Sequence, residues 1–247
     1  MKNHISTYKN FILESRFYQS ELNPSFWSDF KFDQDVRMKL LKIARDFYDD
    51  LDITIPVLDV QLTGSLANYN WTKYSDLDVH VIMDLSQINQ DVELVKKALD
   101  GIRVSWNQRH PVVIRKHDVE LYAQDINQLH LASGLFSLLK NEWIRRPNYN
   151  PPTVDEKDVT RKTSAYRNEI EELNRRLKKA SPEEAANILE YASALKKKIS
   201  RARDEKLAHF GGEFSIENLV FKEMRNNGMY GDLIQLKSDA YSKIYSE

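Results

Sequence analysis

The stretch from Leu62 to Val81 limits what this chain can become more than any other. Apolar residues run into Gly64-Ser65, and ten residues later Asp76-Leu77-Asp78-Val79-His80-Val81 alternates polar with aliphatic side chains. A strand places successive side chains on opposite faces, so Asp76 and Asp78 are expected on one face and Leu77, Val79 and Val81 on a core. The strand rise sets the two aspartate Cα atoms roughly 6–7 Å apart. Two like charges about 4 Å apart cost on the order of 4 kcal/mol at an effective dielectric near 20. A divalent cation held between them removes that cost, and an oxygen-only ligand set favours Mg²⁺ or Mn²⁺. The Gly-Ser turn is complementary. Glycine lets backbone approach a ligand closely, the following N–H groups can form an anion nest, and the Ser65 hydroxyl is a rotatable donor. Taken singly, an Asp-x-Asp is a solvated strand end and a Gly-Ser is a turn; their joint order points to a site.

Thr63-Gly64-Ser65-Leu66-Ala67 through Ser75-Asp76-Leu77-Asp78-Val79 resembles the signature of the DNA polymerase β-like nucleotidyltransferase superfamily, its minimal and poly(A)-polymerase-like branches in particular. More broadly, the chain resembles predicted nucleotidyltransferases encoded by tailed phages. Members of those branches often carry a glycine a few residues after the Gly-Ser, where this chain has Asn68 and Asn70. Asparagine tolerates left-handed backbone better than most residues. The resemblance implies an α+β fold: a small mixed β-sheet core with flanking helices, followed here by a helical C-terminal domain. It implies Asp76 and Asp78 as catalytic metal ligands, Gly64 and Ser65 as nucleotide-binding residues, and a third carboxylate on a later strand. Glu120, between Val119 and Leu121, is the expected third ligand, and Asp118, of the same parity, is the alternative. It also implies Mg²⁺ (or Mn²⁺) as cofactor and an NTP, ATP among the candidates, as substrate.

The chain has 247 residues, 41% hydrophobic and 11% aromatic, enough for a substantial core. The net charge of −1 gives no global support for strong nucleic-acid affinity. With no cysteine, disulfides and thiolate–zinc sites are excluded, which suits a reducing cytoplasm. That would be the host cytoplasm if the chain is phage-encoded. No apolar h-region follows Met1-Lys2-Asn3-His4, and no run approaches a membrane span.

Periodicity predicts a short helix over 8–17 and a helix from about Asp33 to Leu51. A strand is expected over Val57–Thr63 and the carboxylate strand over Asp76–Leu85. Ser86 is a candidate cap for a helix running to Trp106. Short strands follow at 112–114 and 119–123, with Lys116-His117-Asp118 as their link. Residues 132–144 fit a hairpin or a helix. His80 and His130 are expected to be structural, and Trp71 and Tyr74 to anchor their loop. Pro147, Pro151 and Pro152 mark a boundary, giving a catalytic domain at 1–150 and a helical domain at 151–247. In the latter, 155–206 reads as a helical hairpin broken at Ser181-Pro182, with Glu184 completing a capping box. A further helix is capped by Ser215, and a terminal one starts near Gly231. Residues 161–206 carry thirteen Lys and Arg against eight Asp and Glu. The basic cluster Lys196-Lys197-Lys198, Arg201 and Arg203 is either a solvated helix face or a contact for a triphosphate or RNA backbone.

The resemblance implies transfer of an NMP to an acceptor hydroxyl, with an RNA 3′ end as one candidate. Nucleotidylation of a protein or small molecule is a second, and a cyclic-oligonucleotide or alarmone product a third. The non-enzymatic alternative is an inactive binding module.

Overall fold

The computed structural model describes residues 17–128, 130, 132–149, 154–209 and 212–246. The helix expected over 8–17 lies outside these apart from Phe17, as do residues 150–153 of the linker. The chain divides into two compact units, Met1–Pro151 and Pro152–Glu247.

In the first unit a two-stranded ribbon, β1 (Trp27–Ser28) and β2 (Lys31–Phe32), precedes α1 (Gln34–Asp50). Asp29 and Phe30 turn the ribbon with φ of 47° and 60°, the positive values a two-residue hairpin loop requires. The Asp33 carboxylate accepts the Val36 N–H at 3.0 Å and starts α1, whose buried stripe is Val36, Leu40, Ala44 and Phe47. There follow β3 (Val57–Thr63), β4 (Leu77–Met83), α2 (Val92–Arg109), β5 (Val113–Ile114), β6 (His117–Asp125), β7 (Leu135–Ser137) and β8 (Glu142–Arg145). They build a six-stranded mixed sheet in the order β5-β6-β4-β3-β7-β8. Only β4 and β6 run parallel among the described strands. A parallel pair needs a crossover, and α2 provides it while packing on β6; α1 packs on β4.

Register sorts the sheet into two chemically distinct faces. Leu62, Val79, Leu121 and Phe136 form one row across β3, β4, β6 and β7, and all four are essentially inaccessible. The rows of opposite parity are polar: Thr63, Asp78 and Glu120 in one, and Gln61, His80, Tyr122 and Ser137 in the next. The apolar face follows from alternation in the sequence.

Several local expectations are corrected. The carboxylate strand begins at Leu77, one residue after Asp76, and ends at Met83. Ser86 does not cap α2. Its N–H and hydroxyl both donate to the Asp84 carboxylate in a short 3₁₀ turn, and Asp91 caps α2 through the Leu94 N–H at 3.1 Å. His117 and Asp118 already belong to β6, and the link is Arg115-Lys116, at φ 50° and 70°. Residues 135–145 form a hairpin, turning through Asn141 at φ 57°.

The second unit is helical: α3 (Glu156–Lys179), α4 (Pro182–Leu207), α5 (Ile216–Asn226) and α6 (Met229–Tyr245). Ser181 and Glu184 form the capping box of α4, with bonds of 3.2 and 2.8 Å. The core is built from Ile170, Leu173, Ile188, Leu195, Leu219, Met224, Leu233 and Leu236. The terminal helix starts at Met229 rather than near Gly231. Among the described residues no helix is long and apolar enough to cross a membrane.

Candidate active site

Asp78 and Glu120 are register partners on neighbouring parallel strands, so their side chains leave the same face about 4.8 Å apart at the backbone. Both are half-buried. Thr63 is the partner of Asp78 on the other side, which places the row beside the turn at Gly64. Gly64 has φ 73° and ψ −160°, a region that is essentially restricted to glycine. A Cβ there would lie 1.9 Å from Oδ2 of Asp78 and 2.9 Å from its Cγ. The glycine therefore serves first to make room for the Asp78 carboxylate.

The ten-residue gap is clamped at its far end. Ser65 Oγ donates to Ser75 Oγ at 2.7 Å, and the same Ser75 oxygen accepts the Thr72 N–H at 2.9 Å. The Ser75 carbonyl meets His117 Nδ1 at 2.5 Å. Asp76 thus stands between a residue tied to both the Gly-Ser turn and β6, and the first residue of β4. The hydroxyl of Ser65, read from sequence as a rotatable donor for nucleotide, is engaged in this clamp. Trp71 anchors the loop by donating to the Glu21 carbonyl at 2.9 Å, whereas Tyr74 is exposed, with the Lys73 ammonium 4.8 Å from its ring centre. Asn68 does not adopt left-handed backbone: it is extended (φ −146°). It is buried, accepts the Tyr69 N–H at 2.8 Å and donates to Ser133 Oγ at 2.6 Å.

Tyr122 is the participant that sequence reading missed. Its hydroxyl donates to Oε2 of Glu120 at 2.5 Å. The ring is stacked on His80 at 4.6 Å and 13°, and the Arg103 guanidinium lies 4.6 Å from its centre. Arg103 comes from α2, which also pairs the outer edge of β6 through Asn107: its amide exchanges bonds with the Leu121 carbonyl and N–H at 3.2 and 3.1 Å. Burial, followed by the charges of Asp78 and Glu120, holds the Tyr122 hydroxyl well above its ordinary pKa, so it remains a proton donor. The only sequence signal for it is shared parity with Glu120.

His80 lies one row deeper than Asp78. Its Nδ1 is 2.5 Å from Gln124 Oε1, and burial with His130 nearby pushes its pKa down to about 3. It is a neutral packing partner near neutral pH. Two residues between β6 and β7 meet this face: the His130 ring meets His80 edge-on at 5.1 Å, and Thr63 Oγ1 donates to the Gly134 carbonyl at 3.2 Å. Beneath it, Asp59 accepts from Ser137 Oγ at 2.7 Å and Gln61 Nε2 at 3.0 Å. Asp118 shares the parity of Glu120 on β6 and is exposed, opposite Val113.

The structure therefore brings Gly64, Asp78 and Glu120 together and holds Ser65 and Asp76 at the ends of one clamped loop. Among the described residues, no three His, Cys, Asp or Glu side chains converge as they stand to hold a metal ion. Compared with family models, curated proteins and solved structures, the chain matches none.

Proposed function

We propose that the polar face of the sheet transfers a nucleoside monophosphate from an NTP to an acceptor hydroxyl. The observation that carries this reading is the in-register pair Asp78–Glu120 beside the Gly64 turn. The donor chemistry fits a hard divalent cation: oxygen ligands only, two of them adjacent carboxylates whose mutual repulsion a cation relieves. Asp78 and Glu120 would hold Mg²⁺ (or Mn²⁺), with Asp76 joining when the side chains close on the ion. When bound, the ion supplies charge neutralisation for the triphosphate and activation of the acceptor hydroxyl.

The acceptor oxygen forms a bond to the α-phosphorus, and the bond from that phosphorus to the bridging oxygen of the β-phosphate breaks. The electron pair leaves with pyrophosphate, and the hydroxyl proton passes to solvent. Orientation is the chain's own contribution. Gly64 leaves the space in which the Asp78 carboxylate lies. The Ser65–Ser75 bond fixes the approach to Asp76, and the Tyr122 hydroxyl donates to Oε2 of Glu120, which orients that carboxylate. An RNA 3′ end, a protein and a small molecule are all acceptors compatible with this chemistry.

The deciding experiment is incubation of the protein with Mg²⁺ and each labelled NTP, with and without short RNAs, beside the Asp76→Ala variant. RNA extended by wild type and not by the variant supports transfer to a 3′ end. Label consumed without RNA moves the acceptor to protein or small molecule. No consumption with Mg²⁺ or Mn²⁺, together with no thermal shift on adding Mg²⁺–NTP, would overturn the reading, since a ligand at about a hundred times its Kd should add roughly 2.7 kcal/mol.

Tyr122→Phe removes the bond to Glu120 but keeps the ring between His80 and Arg103. Loss of such a partner to a metal ligand typically costs about 10–100-fold in metal affinity or activity. The expected result is a rise of about tenfold in the Mg²⁺ concentration giving half-maximal rate. Stability should change by only about 1 kcal/mol. An unchanged Mg²⁺ dependence would show that the Tyr122 hydroxyl has no part in orienting Glu120.

A further inference from the structure

The basic cluster of the helical unit separates into two kinds of cation. Arg203 is used in packing: its guanidinium lies 4.4 Å from the Phe221 ring centre, and Nε donates to Asn218 Oδ1 at 3.2 Å. Lys196, Lys197 and Arg201 of α4 and Lys237 of α6 instead line a groove of about 470 Å³, together with Ser193, Ser200, Asp204 and Glu205. Among the described residues none of these four cations has a hydrogen bond or an ion pair. Lys196 and Lys237, one from each wall, are half-buried, while Lys197 and Arg201 are exposed.

Four cations against two carboxylates leave the lining of this concavity net positive, which raises the local anion concentration. We propose that this α4–α6 groove is a phosphate-backbone site that takes a single nucleic-acid strand, with RNA as the ligand. Successive phosphodiesters along one strand offer a row of charged oxygens that can accept from both walls at once, with the Ser193 hydroxyl as a further donor. No aromatic side chain lines the groove, so it offers no platform for stacking bases, and recognition rests on phosphate and not on sequence. The proposal stands whether or not the carboxylate face transfers nucleotides.

The test is fluorescence anisotropy of labelled 12-nucleotide RNAs, one homopolymeric and one mixed, with the full chain from 50 to 200 mM salt. Single strands lose about 0.7 in the slope of log K against log salt per neutralised phosphate. Three to four contacts predict a slope near −2 to −3, hence roughly 15–60-fold weaker binding across that range, alike for both sequences. The Lys196→Gln/Lys197→Gln/Arg201→Gln/Lys237→Gln variant should bind at least about tenfold more weakly at low salt, with most of the slope gone. Lys39→Gln/Lys42→Gln, in the basic groove at α1 and β5, should bind as wild type does. Unchanged affinity and slope in the fourfold variant would overturn the proposal. So would wild-type chain that binds tripolyphosphate or a polyglutamate peptide through these four residues but not RNA.

Discussion

Asp78→Asn is expected to lower NTP turnover by about a thousandfold or more, on the order of 4 kcal/mol of transition-state stabilisation, while leaving the chain at least as stable as wild type. The two effects have one origin. Asp78 and Glu120 leave neighbouring parallel strands in register, about 4.8 Å apart at the backbone. Two carboxylates at that spacing repel by up to about 3.5 kcal/mol at an effective dielectric near 20, and their half-buried setting limits solvent screening. Asparagine has nearly the same shape and removes one charge, so thermal denaturation without Mg²⁺ should show a gain of about 1 kcal/mol after screening. Adding Mg²⁺ should stabilise wild type and do little for the variant. A residue kept for packing would behave in the opposite way: its loss would lower stability and activity together. Turnover near the wild-type rate in Asp78→Asn would end the nucleotidyl-transfer reading.

How much of this site could be read before the fold was known depended on which interactions are local. Alternation placed Leu77, Val79 and Val81 on the buried face, and with them Asp78 on the other, because strand parity is a property of consecutive residues. The pairing of Asp78 with Glu120 rests on parity in two separate strands plus a crossover of defined length, and only the parities were legible. The start of β4 at Leu77 was not: Asp76 and Asp78 look equivalent in sequence, and the bonds that set Asp76 apart run from Ser75 to Ser65 and His117. Tyr122 was invisible for the same reason, since its partners Arg103 and His80 come from α2 and β4.

The turns gave little warning. Asp29-Phe30 and Arg115-Lys116 take positive φ with neither Gly nor Asn, the residues by which such turns are ordinarily recognised. Arg115 offsets its conformation through tertiary contacts, donating to the Ser25 carbonyl and, at 2.7 Å, to the Asp33 carboxylate. Ser86 looked like a helix cap, and Asp84 competed for it. The helical unit was more legible because its capping box at Ser181–Glu184 and the Ser215 cap are encoded within a few residues.

Gly64→Ala is expected to fail in a way that identifies what the glycine is for. The backbone conformation, φ 73° and ψ −160°, costs about 1–3 kcal/mol for a residue with a side chain. The added methyl would also stand 1.9 Å from Asp78 Oδ2 and 2.9 Å from Cγ. Rotating the carboxylate away relieves that contact only by moving Asp78 off the face it shares with Glu120, so turnover should fall about a hundredfold even where the chain remains folded, since a displacement near 1 Å can cost that much. A double-mutant cycle separates the two costs. In an Asp78→Ala background the carboxylate is gone, and Gly64→Ala should then carry only the backbone penalty. A coupling of about 1 kcal/mol or more in stability is expected, the size found for residues in direct contact. Additive losses would mean that Asp78 does not lie against Gly64. In that case the glycine serves the turn alone, and the carboxylate pair is held in place by β4 and β6 without it.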